Sequence, residues 1–281
     1  VVMPLASAAA FALSSDAAVS DEKPDNVAPR IATFTKSFQD LPIDEVCQQF
    51  HMLGLDGLDL TVRKGGHIEP ADVTDKLPEA VAAARENKVS ILILTSDITD
   101  ADDQAENVIR TAEELGINRF KLGYYRYTEF GRLNEQLHET RQRLQGVVKL
   151  AAKYRVKPCV HIHSGAFIPS HGTMLFQLLK GFSPEEVGAY VDPLHMTVEG
   201  GKDGWRQGLD LLAPWISLVS MKNFIWEKGE RDKSGQLEWH TRLVPLSDGV
   251  CPLPKFVQAV QQLGYNDVFS LHSEYKGRHS F

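Results

Sequence analysis

A chain of 281 residues, 43% hydrophobic and 24% charged, has ordinary globular composition and the length for one large core or two small ones. A net charge of −7 without clustered Lys and Arg argues against nucleic-acid partners, whose phosphates are gripped by displacing counterions. Three widely separated cysteines, Cys47, Cys159 and Cys251, form no CxxC pair and argue against a disulfide framework or a zinc ribbon; Cys159 reads as the core residue of a strand.

The chain opens on the apolar, small-residue stretch VVMPLASAAAFALSS, followed by the polar DAAVSDEKPDNVAP. The Ala6-Ser7-Ala8 run resembles the tail of an export signal, so residues 1–28 are read as a signal remnant or an N-terminal arm. Export would place the protein in the periplasm or outside the cell; otherwise it is cytoplasmic. The run is too short to span a bilayer, and no other stretch qualifies.

From Arg30 onward, short apolar runs alternate with longer amphipathic ones. A strand is expected over 30–35, then a helix over 43–54 ending on Gly54 as its C′ glycine. A strand over 57–62 precedes a helix over 73–88. A strand over 89–95 precedes a helix over 100–116, whose first turn carries acids that suit the helix dipole. The strand over 119–124 leads into a long helix over 133–154 with one apolar face. Strands over 157–163, 187–192 and 216–223 follow, then a helix over 253–264 and a last strand over 268–275. Eight strands with interleaved helices over about 250 residues have the rhythm of an α/β fold, a single (β/α)8 TIM barrel covering 29–281. The alternative, a doubly wound open sheet, would want a GxGxxG turn that follows none of these strands.

In a barrel the active site lies at the C-terminal ends of the strands. Residues i and i+2 of a strand share a face. The polar residues at those ends keep one parity: Asp59, Thr61 and Arg63; His161 and His163; Asp192, with His195 following; Ser220 and Lys222; His272 and Glu274. The alternate residues Leu60, Val160, Val191, Val219 and Leu271 are apolar and suit the helix-facing side. The polar set therefore faces the barrel mouth. His67 lies on a Gly-flanked loop, and Tyr124, Trp226 and Trp239 offer flat apolar surfaces to a ring.

Several of these stretches resemble the xylose isomerase-like TIM-barrel family, which includes sugar phosphate isomerases and epimerases. LGLDGLDLTVR (53–63) is similar to the second strand of that family. VGAYVDPLHMTVEGG (187–201) is similar to its sixth strand with an Asp-x-x-His signature, and LVSMKNFIW (218–226) to its seventh. Residues 244–275 resemble its closing loop, last helix and last strand. The resemblance implies a divalent cation held by Glu, Asp, His and Glu from strands five to eight. The matching positions here are His161, Asp192, Ser220 and His272, so only the aspartate is kept. Both glutamates that shuttle protons beside a carbonyl are replaced by histidine.

Two imidazoles and a carboxylate, His161, Asp192 and His272, could still hold Zn, Mn, Fe or Co, whereas Mg prefers oxygen ligands. His163, His195 and Glu274 are further ligands or supports of that set. His161, His272 and Glu274 are the acid–base candidates, and Lys222 could neutralise an oxyanion. Asp59, Arg63, His163, His195 and Trp226 are the expected substrate contacts. The resemblance implies a carbohydrate-active, isomerase- or epimerase-like enzyme that abstracts a proton next to a sugar carbonyl, with metal assistance. The lost glutamates keep a 3-keto-glycoside lyase or hydratase open, and a non-catalytic sugar-binding barrel is the reading from another class. The acidic charge and missing ligands disfavour an apurinic endonuclease of the same superfamily. The partner is a small carbohydrate; the sequence sets no oligomeric state.

Overall fold

A computed structural model describes residues 28–275. The reading of 1–28 as a signal remnant or arm falls, apart from its last residue, outside the described residues. Eight parallel strands close into a barrel. They are β1 (Arg30–Phe34), β2 (Gly57–Val62), β3 (Ser90–Ser96), β4 (Arg119–Lys121), β5 (Lys157–His161), β6 (Gly188–Val191), β7 (Ile216–Met221) and β8 (Val268–Leu271). Each pairs with its sequence neighbours, and β8 returns to β1 with Ala32 opposite Ser270.

Helices α1 (Ile43–Met52), α2 (Val73–Glu86), α3 (Asp103–Glu114), α4 (Leu133–Ala152), α5 (Gly172–Leu179), α6 (Pro193–Leu212) and α7 (Leu253–Gln262) each connect one strand to the next. The helix spacing shows why they pack: α3 buries Ala105, Val108, Ile109 and Ala112, and its Asp102 cap accepts the N–H of Ala105 at 2.8 Å. Residues 172–179 and 193–212, left without an assigned helix in the sequence reading, hold α5 and α6. Glycines hide the period in the second, which kinks at Gly201 (φ 59°).

The parity argument describes two separate apolar layers. Leu60, Val160, Val191 and Val219 are buried in the layer between strands and helices. A smaller cluster of Ala32, Leu92, Ile93, Cys159, Tyr190, Leu218 and Val268 fills the barrel interior. That plug raises the floor of the mouth, so polar residues meet only above it. At the other end Asp267 takes Arg30 and Arg119, each at 2.6 Å, tying the start of β1 and β4 to the loop before β8.

Two short antiparallel pairs depart from the β/α rhythm. Tyr125–Arg126 pairs with Phe167–Ile168, linking the loops after β4 and β5. Asn223–Arg231 and Leu237–Val244 form a ribbon between β7 and α7. All three cysteines are buried and free. Among the described residues no helix is long and apolar enough to cross a membrane.

Candidate functional site

The strands stop earlier than the sequence pattern predicts. β4 ends at Lys121, β5 at His161, β6 at Val191, β7 at Met221 and β8 at Leu271. His163, Asp192, Lys222, His272 and Glu274 therefore stand one to three residues beyond strand ends, on loops that a rigid barrel holds in place. A cavity of about 90 Å³ lies among them, lined by His161, His163, Lys222, His272, Glu274 and Arg63. With Tyr124, which also lines it, seven of the residues singled out from the sequence share one mouth. Sequence reasoning did not single out Phe34, Lys36, Thr95, Lys121 or Tyr190, which also line it. The two most telling were legible: Lys121 is a charge inside the apolar run RFKLGY, and Tyr190 shares the parity of Asp192.

Asp192 anchors one side. It caps α6, its Oδ1 accepting the N–H of Leu194 at 2.8 Å and of His195 at 3.2 Å, with Pro193 preset for the first turn. Its Oδ2 accepts from Ser220 Oγ at 2.6 Å and from His161 Nε2 at 3.2 Å, and Lys222 Nζ lies 3.2 Å away. Burial works to raise the Asp192 pKa, but the Lys222 ammonium and the adjacent imidazoles hold it well below the usual carboxylate range. An ionised carboxylate only accepts, so His161 Nε2 carries the hydrogen and its Nδ1 accepts from Tyr124 O–H at 3.2 Å. Burial, with Lys222 and Lys121 near by, pushes His161 down to about 3 against the pull of Asp192, so the ring is neutral with both nitrogens engaged. Burial likewise lowers His163 to about 4. The His163 ring packs on His195 at 4.0 Å between centroids.

His272 anchors the other side, stacked on Phe34 at 4.5 Å. Tyr190 O–H donates its one hydrogen to Asp59 Oδ2 at 3.0 Å, so its oxygen accepts from His272 Nε2 at 3.1 Å. That fixes the tautomer: His272 Nδ1 keeps its lone pair, buried and without a hydrogen-bond partner, 3.6 Å from Glu274 Oε2. Burial raises the Glu274 pKa, yet the Lys222 and Lys36 ammonium groups bring it far below the ordinary carboxylate range.

Three expectations are corrected. Asp59 is not a substrate contact: it is fully buried, and its oxygens accept from Thr95 at 2.6 Å, Tyr190 at 3.0 Å and Ser270 at 2.9 Å. Trp226 sits on the ribbon, 44% exposed, against Phe224 and outside the mouth; the β-ribbon that replaces the expected β/α connection carries it away. Trp239 is on the same ribbon and exposed. The set His161, Asp192 and His272 does not converge. His272 Nε2 is taken by Tyr190, the His161 and His272 ring centroids are 6.3 Å apart, and Lys222 puts an ammonium against the Asp192 oxygen that a cation would need. Among the described residues no group of three His, Cys, Asp or Glu side chains is disposed to hold a metal ion. His195 keeps contact with the site, Nε2 lying 3.7 Å from Asp192 Oδ2 and Nδ1 bonded to Ser164 Oγ at 2.9 Å, although it does not line the cavity. His67 is a loop fastener, its Nε2 on Phe38 O at 3.1 Å and its Nδ1 on Thr61 Oγ1 at 3.2 Å.

The sequence matches the family described as xylose isomerase-like TIM barrel over residues 47–279. No curated protein sequence is similar enough to count as a match. Among solved structures, the probable 3-DHS dehydratase AsbF of Bacillus anthracis superposes with a TM-score of 0.68 at 16% identity, over 89% of this chain and 94% of that one. The 3-keto-D-glucoside 4-epimerase YcjR of E. coli gives 0.67 at 12% identity, over 90% and 94%. A xylose isomerase-like TIM barrel protein of Mycobacterium smegmatis, in complex with magnesium, gives 0.65 at 14% identity, over 90% and 92%. At such identities the likeness is one of fold.

Proposed function

The chain belongs to the xylose isomerase-like TIM barrel family, and on that premise we propose that it is a carbohydrate-active enzyme, isomerase- or epimerase-like, that abstracts a proton next to a sugar carbonyl. The observation that carries the reading is the pairing of His272 and Lys222 in one cavity. His272 Nδ1 has an unshared lone pair, and Glu274 Oε2 lies 3.6 Å from that same nitrogen, placed to stabilise the imidazolium that forms when the ring takes a proton. Lys222 lines the same cavity and brings a positive charge to the carbonyl oxygen as it becomes an enediolate. Glu274 is held too acidic to be the base, and both nitrogens of His161 are engaged, so His161 and Asp192 orient Tyr124 and Lys222. Among the described residues the donors that Zn, Mn, Fe or Co would need do not converge, so no step is assigned to a metal.

Removal of the same α-proton begins an elimination. A 3-keto-glycoside lyase is the second reading, supported by the two family glutamate positions that carry His161 and His272 and by the keto-glucoside and dehydratase names among the structural neighbours. The test is hydrogen exchange at the carbon beside the carbonyl in deuterated water, followed by NMR on D-fructose and on a 3-keto-glucoside. Exchange is expected with wild type, and His272→Ala should slow it by about 10²–10⁴-fold while sugar affinity stays within a few-fold. A changed sugar with no bond broken identifies the isomerase, and a released aglycone the lyase. Binding without exchange overturns both and leaves the non-catalytic barrel.

A further inference from the structure

The cations around the mouth are not matched alike. Lys222 lies 3.2 Å from Asp192 and 3.7 Å from Glu274, and Lys36 pairs with Glu274. Lys121 and Arg63 line the same cavity, yet among the described residues neither makes an ion pair. Lys121 is 3% exposed, and its Nζ rests 3.5 Å from the centre of the Tyr124 ring; Asp59 and Asp97 act on it through space without forming an ion pair. Arg63 lies across from Phe34, its Cζ 5.8 Å from the ring centre, and its Nε is buried without a hydrogen-bond partner. Carboxylates are not lacking near by, but Asp59 spends its oxygens on Thr95, Tyr190 and Ser270, and Asp192 and Glu274 are taken by other cations.

A buried ammonium beside a half-buried guanidinium, neither in contact with a carboxylate, is costly, because low-dielectric surroundings strengthen their repulsion and limit their hydration. Burial first, and the Arg63 charge second, lower the Lys121 pKa to about 7. A ligand that brings negative charge removes both penalties at once. Guanidinium offers a planar fork that matches carboxylate and phosphate oxygens, and ammonium adds a point charge beside it. The 90 Å³ cavity has room for about three waters' worth of ligand, the size of one ionised group or one reacting end of a sugar.

We propose that Arg63 and Lys121 form an anion-binding subsite in the mouth, and that the sugar this barrel takes carries an ionised carboxylate or phosphate. The inference rests on the carbohydrate reading above and names its substrate class. Only closure of the barrel brings the pair together, because the two residues lie 58 positions apart at the ends of strands that are not neighbours.

The test is calorimetry and thermal melting of the full chain at low salt with D-glucuronate, D-glucose 6-phosphate and D-glucose. One anionic probe is expected to bind about tenfold or more tighter than D-glucose and to raise the melting temperature. The preferred probe tells carboxylate from phosphate. Lys121→Met and Arg63→Gln should each lower that affinity by roughly tenfold or more. Circular dichroism melts check that both variants fold, and Arg63→Gln, at a strand end, decides the matter if Lys121→Met does not fold. Equal binding of D-glucose, or anion affinity unchanged in both folded variants, overturns the subsite. Deuterium exchange into a neutral keto-sugar with no gain from either anion removes the subsite and leaves the carbohydrate reading standing. Anion binding lost in both variants, with no exchange on any sugar, keeps the subsite and removes that reading.

Discussion

Single residues decide the electrostatics of this mouth. Lys121 has its pKa lowered from 10.5 to about 7, by burial first and Arg63 second. Between those values the unfolded chain holds the proton and the folded chain does not, so stability rises with pH across that window. The penalty is complete below about pH 7 and gone above about 10.5. Lys121→Met should therefore gain more over wild type at about pH 6 than at about pH 9.5, read as the difference in urea midpoints. Asp192, also held below its ordinary value, has the same sign in an acidic window: its contribution is present above the unfolded carboxylate range and is lost as the pH falls. Removing Ser220 Oγ takes one short bond from a buried carboxylate, so Ser220→Ala should cost about 1–3 kcal/mol in urea unfolding. Asp192→Ala also strands Lys222 and uncaps α6, and should cost about 3–5 kcal/mol. An Asp192→Ala protein as stable as Ser220→Ala would show that Lys222 finds another partner.

At the scale of elements, the packing of α5 on α6 depends on two glycines. A Cβ on Gly172 would lie 2.6 Å from the Gly208 Cα, and one on Gly208 3.2 Å from the Gly172 Cα. The contact is backbone on backbone, which cannot give as a side chain can. Gly172→Ala should cost about 1–3 kcal/mol. Gly204, in the same helix as Gly208, would meet nothing within 4 Å, so Gly204→Ala should be neutral or stabilise by up to about 1 kcal/mol. Thermal melts of the pair separate helix propensity from packing, since the two changes are the same in chemistry. These glycines also explain why α6 was not legible in the sequence: Gly200, Gly201, Gly204 and Gly208 lower its helix signal, and the packing that requires one of them is made only in three dimensions.

At the scale of the molecule, six of the eight strands share the interior cluster, and the helices share the layer outside it. No half of the barrel has a core of its own. Unfolding followed by far-ultraviolet circular dichroism and by tryptophan fluorescence should give coincident transitions; separated midpoints would reveal a subdomain. The ribbon between β7 and α7 stands apart from this unit, with exposed residues through its tip. Limited trypsin should cut first at Arg231 or Lys233 there and leave the two fragments associated, as gel filtration after brief digestion would show.

The strand–helix rhythm and the inward parity of His161, Lys222, His272 and Glu274 were legible along the chain. They follow from local periods, 2 for strands and 3.6 for helices, that any segment carries by itself. What the closed barrel decided is which inward residues meet. Tyr190 reaches Asp59 across 131 positions and His272 across 82, and that chain fixes the lone pair of His272. The same closure seats His272 Nε2 on Tyr190, so among the described residues three donors with the right parity do not make a metal set. It also leaves Arg63 and Lys121 facing one cavity without an ion pair among the described residues. Parity names the face on which a side chain lies, but distance across a barrel is set by closure and register, which no local stretch contains.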